Sequence, residues 1–143
     1  MSAGGADDVV AVEQVVRLSA ALNDGRSWTA LAALYTDDGL LLRPNGEQVA
    51  GRDAIEASYA AGSASRRTRH LCGGTLVDVD GDTARAVTPV LLFTWDASDT
   101  GSVAEATGPA IGEFADALVR TGDGWRIAER IATVTARVPT GAG

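Results

Sequence analysis

The chain has 143 residues, a formal net charge of −7, 45% hydrophobic and 22% charged residues, which fits one globular domain able to bury roughly two-thirds of its unfolded surface. An acidic balance with no basic run argues against nucleic acid or an anionic membrane surface as partner. One cysteine, Cys72, excludes an intrachain disulfide and a cysteine-rich metal site. Met1–Asp8 lacks the features of a secretory signal, and no stretch reaches the ~20 apolar residues that span a bilayer, so a cytoplasmic location is expected.

Asp7 or Asp8 can cap a first helix reaching about Leu22, in which Val9, Val12, Val15, Val16, Ser19 and Leu22 form one stripe. Asn23-Asp24-Gly25 ends it, with Asn23 suited to the C-cap. Ser27 is placed to cap a second helix carrying Trp28, Leu31, Leu34 and Tyr35 on one face, stopped by Asp37-Asp38-Gly39. Leu40–Arg43 reads as a short strand, Pro44-Asn45-Gly46 as a turn, and Glu47–Ala50 as its return. Asp53 is placed to cap a third helix holding Ile55 and Tyr59 and ending near Gly62.

From Arg69 the period changes to two. A strand over Arg69–Val79 turns at Asp80-Gly81 into Ala84–Trp95, a two-residue hairpin signal. Asp96–Gly108 is a polar loop, and Pro109–Arg120 and Trp125–Val138 are two further strands joined through Thr121–Gly124. Pro89 inside a strand calls for an edge or a bulge there. The result is α+β: three N-terminal helices packed on a curved antiparallel sheet, over residues 7–138, between small-residue tails 1–6 and 139–143.

This order resembles the nuclear transport factor 2-like superfamily, in particular its SnoaL-like branch, over residues 8–138. The resemblance is carried by Ala20–Gly25, Leu34–Gly39, Gly51–Ile55, Arg69-His70, Asp80–Ala84 and Gly124–Ile127. It implies a cone-shaped α+β barrel around an apolar pocket, commonly a homodimer packed through the outer sheet surface. Such folds host enzymes and pure binding proteins alike, so the pocket residues must decide. The ketosteroid isomerase pattern finds Leu18, Arg43 and Gly112 at its tyrosine, base and acid positions, so all three of its groups are missing. The scytalone dehydratase pattern matches its strand-opening histidine at His70, but its first-helix aspartate falls at Asn23 and its second histidine near Thr88. No motif reproduces the Asp-Arg-Asp relay of the epoxide hydrolase branch.

The SnoaL-like cyclases use a carboxylate or histidine as general acid/base in a chain-folding pocket, and His70 fits that role. It is the only histidine, and histidine is the side chain best suited to proton exchange near neutral pH. If Gly112 faces the pocket, the period of two brings Phe114 and Asp116 there, and puts Cys72 on the face of His70. The expected catalytic set is therefore His70 with Asp116 or Asn23 orienting it. Trp28, Tyr59, Thr88, Phe114, Trp95 and Leu18 are expected to shape the walls, with no metal and no cofactor. The implied function is a cofactor-independent cyclase, isomerase or dehydratase acting on a small hydrophobic polyketide- or terpenoid-like metabolite. The alternative is a non-catalytic binding or accessory protein for such a molecule.

Overall fold

Val12, Val16, Ser19 and Ala20 are buried along one side of the first helix, α1 (Ala6–Asp24), as steps of three and four residues require. In the computed structural model, which describes residues 5–98 and 100–139, that side packs against a seven-stranded sheet. After α1 come α2 (Trp28–Ala32), β1 (Tyr35–Leu42), β2 (Gln48–Ala50), α3 (Arg52–Ala60), β3 (Arg66–Cys72), β4 (Leu76–Asp80), β5 (Thr83–Asp96), β6 (Thr107–Thr121) and β7 (Gly124–Arg137). The core joins Val12 and Val16 of α1 to Tyr35, Ile55, Leu118 and Ile127 from β1, α3, β6 and β7.

The strand order is β2-β1-β7-β6-β5-β3, with β4 also on β5. Two features differ from the expected antiparallel barrel. β1 runs parallel to β7, so the sheet is mixed, and its ends at β2 and β3 do not join, so the barrel stays open. The expected tails lie largely outside the described residues (1–4 and 140–143), and α1 already begins at Ala6.

The second helix is shorter than its apolar spacing suggests. Tyr35 leaves it to pair with Ile127, whose N–H donates to the Leu34 carbonyl at 2.8 Å, while the Arg52 guanidinium takes the Tyr35 carbonyl. A residue seven places beyond Trp28 meets a core equally well from a helix or from a strand, which is why spacing alone misreads it. The expected single strand over Arg69–Val79 is two. Gly73-Gly74-Thr75 interrupts it opposite Pro89, whose carbonyl accepts the Gly73 N–H at 2.8 Å. The missing proline N–H points to that same side, so the ladder breaks where a donor is lacking.

None of the three expected side-chain caps forms; Gly5, Ser27 and Gly51 occupy the N-cap positions without side-chain hydrogen bonds. Asp8 lies in the first turn, where its Oδ1 takes the Trp125 indole N–H at 3.2 Å and pairs with Arg120 at 2.9 Å. The helix start is thus fastened to the β6–β7 hairpin. The Arg120 hydrogen bond, then that of Trp125, holds the Asp8 carboxyl below its usual range. Because the folded value is the lower one, this contribution is present above the unfolded carboxylate pKa of ~3.9 and is lost as pH falls through the folded value. Asp8→Asn is accordingly expected to lower stability at neutral pH and to flatten the acid limb of the stability–pH curve, read by chemical denaturation between about pH 2 and 7.

Candidate active site

Strand β3 alternates, so Thr68 and His70 turn to the same inner side. There they meet the last residue of α1. The Asp24 carboxylate accepts the Thr68 hydroxyl at 3.0 Å and the His70 backbone N–H at 2.9 Å, and its Oδ1 lies 2.6 Å from His70 Nδ1. The two side chains are only 9% and 13% exposed. Three donors fix one carboxylate, and that carboxylate fixes the ring: Nδ1 carries the proton shared with Asp24, which leaves Nε2 as the acceptor in the neutral imidazole. Arg69 approaches Asp24 only at 3.9 Å from an exposed position and contributes little.

His70 stands on the wall of a cavity of about 860 Å³, a size that suits a small organic ligand. Phe114 packs against it with ring centroids 6.0 Å apart. Val90 and Leu92 of β5 and Leu41 of β1 supply apolar lining, while Trp28 and Tyr59 stack at 5.7 Å on the helical side. His70 Nε2 has no hydrogen-bond partner among the described residues and is not among their buried unpaired polar atoms, so it is open to the cavity.

Asn23, Trp28, Tyr59 and Phe114 thus border the cavity, and four other expected residues do not. Asp116 is turned inward as its parity requires, but both its oxygens are taken by Arg130, at 2.7 and 2.9 Å, so it does not orient His70. Thr88 shares the inward parity of Val90 yet is fully enclosed and bonded to Thr75 at 2.8 Å. Trp95 has the opposite parity to Leu92 and Thr94 and pairs beside Arg67. Leu18 is 41% exposed, because Ser19 rather than Leu18 lies on the buried side of α1. Asn23 does not orient the histidine either, nor does it cap the helix: α1 runs through Asp24, and the left-handed residue is Arg26.

Sequence reasoning missed Asp24 by a single position. Steps of four from Val12 through Val16 and Ala20 lead to Asp24, a signal that was present in the helical stripe. Gly112, the position where an acid was sought, has no room for any side chain: a Cβ would run into the Thr133 carbonyl.

The Asp116–Arg130 pair bridges neighbouring β6 and β7 positions beneath the cavity. Arg130 also donates to Ser19 Oγ at 2.9 Å and lies 4.0 Å from the Phe114 ring. Burial alone would lower the guanidinium pKa, but the Asp116 carboxylate more than offsets that and raises it. Among the described residues one carboxylate, not two, pairs with this arginine. Burial likewise pushes up the Cys72 thiol and, strongly, the Tyr35 phenol, so neither is a ready nucleophile.

The SnoaL-like domain family matches residues 5–131. The chain belongs to that family. No curated protein matches the sequence. Among solved structures, this SnoaL-like chain superposes on a proposed aromatic ring hydroxylase from Novosphingobium aromaticivorans with a TM-score of 0.81, at 18% identity over 96% of both chains. It also superposes on a proposed scytalone dehydratase from the same organism (TM-score 0.75, 20% identity, 94% of this chain and 89% of that one). A third likeness is ActVI-ORFA from Streptomyces coelicolor (TM-score 0.72, 23% identity, 88% and 96%). At these identities the likeness establishes the fold, which is the NTF2-like one expected.

Proposed function

We propose that this SnoaL-like protein is a cofactor-independent enzyme of the cyclase, isomerase or dehydratase type, acting on a small hydrophobic metabolite, with His70 as its acid/base. The observation that carries the reading is the 2.6 Å contact between Asp24 Oδ1 and His70 Nδ1, made behind a ring whose Nε2 opens into the cavity. Asp24 sets the tautomer and stabilises the imidazolium that forms when Nε2 removes a proton from substrate carbon or hydroxyl; the same Nε2–H then returns it to a neighbouring atom. Phe114, Trp28 and Tyr59 hold the substrate's apolar body, and orientation against these walls lowers the barrier further. The name of one structural neighbour, the proposed scytalone dehydratase, supports this class without fixing a substrate for this chain.

The second reading, a binding or accessory protein, has one observation in its favour: the other inward carboxylate, Asp116, is fully engaged by Arg130 and adds no second proton carrier. Incubation with conjugated ketones and their hydroxylated precursors separates the two. Turnover that His70→Gln abolishes supports the enzyme; tight binding with no turnover in the parent protein supports the accessory role.

A homodimer through the outer sheet face fits the surface. Leu71, Leu91 and Ile111 sit side by side on β3, β5 and β6 and are 51%, 37% and 41% exposed. Ile111→Glu is expected to shift the mass measured by light scattering from two chains to one; a parent protein already monomeric at tens of micromolar overturns the dimer.

A further inference from the structure

All the basic residues of this chain are arginines, and four of them, Arg26, Arg43, Arg66 and Arg137, border the cavity without a carboxylate partner among the described residues. The fifth lining arginine, Arg130, is neutralised by Asp116. Against these stand one exposed lining carboxylate, Glu113, and the His70–Asp24 pair. In a chain of net charge −7, that concentration of positive charge at one concave surface is not a by-product of composition.

Two of the four are held in place. Arg26 donates to the Ser63 and Arg66 carbonyls from a left-handed backbone position (φ 57°) and lies 5.3 Å from the Trp28 ring. Arg43 donates through Nη1 to the Ser58 hydroxyl and carbonyl and lies 5.1 Å from the Tyr59 ring. Trp28 and Tyr59 stack on each other within 9° of parallel. Both guanidiniums are therefore anchored through one nitrogen and braced on an aromatic surface. Arg43 keeps its Nε and Nη2 protons without protein acceptors among the described residues, and neither atom is buried and unpaired, so that edge is reachable from solvent or cavity. An Nε–Nη2 edge is the fork that accepts the two oxygens of a carboxylate.

We propose that the cavity takes a ring-bearing carboxylate, its apolar body against Phe114 and Val90 and its carboxylate on Arg43 and Arg26. This deepens the proton-transfer reading above and rests on it for the cavity being the ligand site. A guanidinium stays charged at every pH at which the protein is folded, so the preference is for the anion and weakens as salt rises.

Isothermal titration of the full chain with 2-naphthoate and with its neutral isostere 2-naphthamide tests this. The acid is expected to bind about tenfold or more tighter than the amide at low ionic strength. Arg26→Gln and Arg43→Gln are each expected to shrink that ratio, and the double variant to abolish it, with far-UV circular dichroism confirming the fold. Arg85→Gln, which removes the same charge from an exposed β5 position off the cavity, is expected to leave the ratio intact. Equal binding of acid and amide overturns the carboxylate proposal alone, as does a preference that survives in the double variant. Failure of both probes to bind overturns it together with the ligand-site reading beneath it.

Discussion

Asp24→Asn is expected to lower kcat by about 10²–10⁴-fold while leaving the fold and the cavity intact. The carboxamide is close to the carboxylate in size: its oxygen can keep the His70 backbone N–H at the Oδ2 place, while its nitrogen takes the Oδ1 place, where the Thr68 hydroxyl turns from donor to acceptor. What changes is the ring. An amide N–H facing Nδ1 makes that nitrogen the acceptor and moves the ring proton to Nε2, the atom that must remove a proton from substrate. A neutral oxygen also stabilises the developing imidazolium far less than a carboxylate does. His70→Gln is expected to remove activity to the same extent, and the double variant to lose no more than either single one, because the pair acts as a unit. Steady-state kinetics on any substrate found for the protein checks both, and additive losses contradict the coupling.

The largest expected stability effect lies below the cavity. Asp116→Ala leaves the Arg130 guanidinium, 3% exposed, without its carboxylate, which costs about 3–5 kcal/mol. For a chain of this length that corresponds to a fall in Tm of roughly 10 °C or more by calorimetry. Replacing both partners, Asp116→Leu with Arg130→Met, is expected to recover most of the loss. No buried charge is then stranded, and Ser19 keeps its own hydrogen bond to the Val16 carbonyl at 2.6 Å. A single variant as stable as the parent contradicts the view that Asp116 serves this ion pair.

Much of the fold was legible because its elements follow one period each. The α1 stripe, the Ile55–Tyr59 face of α3 and the inward even-numbered residues of β6 follow directly from steps of four and of two. The failures occur where a period breaks. In β7 the register shift opposite Ala117–Leu118 leaves Ala128 unpaired. The inward set changes there from Trp125 and Ile127 to Arg130 and Ala132, so simple alternation hides the arginine that claims Asp116. Tyr35 failed for a different reason, since a parallel partner 92 residues further on, Ile127, decides between helix and strand. At the site, His70 was readable as the chain's only histidine at the opening of a strand, and Phe114 from alternation beyond Gly112. Asp24 was missed because the first-helix position is aligned on the Ala20–Asn23 run rather than on the rotation of the helix.

Proton removal by His70 can be observed without knowing the natural substrate. With 2-tetralone in D₂O, whose C1 protons are acidified by ring and carbonyl together, the protein is expected to accelerate deuterium uptake above the buffer rate, followed by proton NMR. His70→Gln and Asp24→Asn are expected to return the rate to that of buffer, and Arg85→Gln to leave it unchanged. Exchange as fast in His70→Gln as in the parent protein would contradict the assignment of His70 as the acid/base.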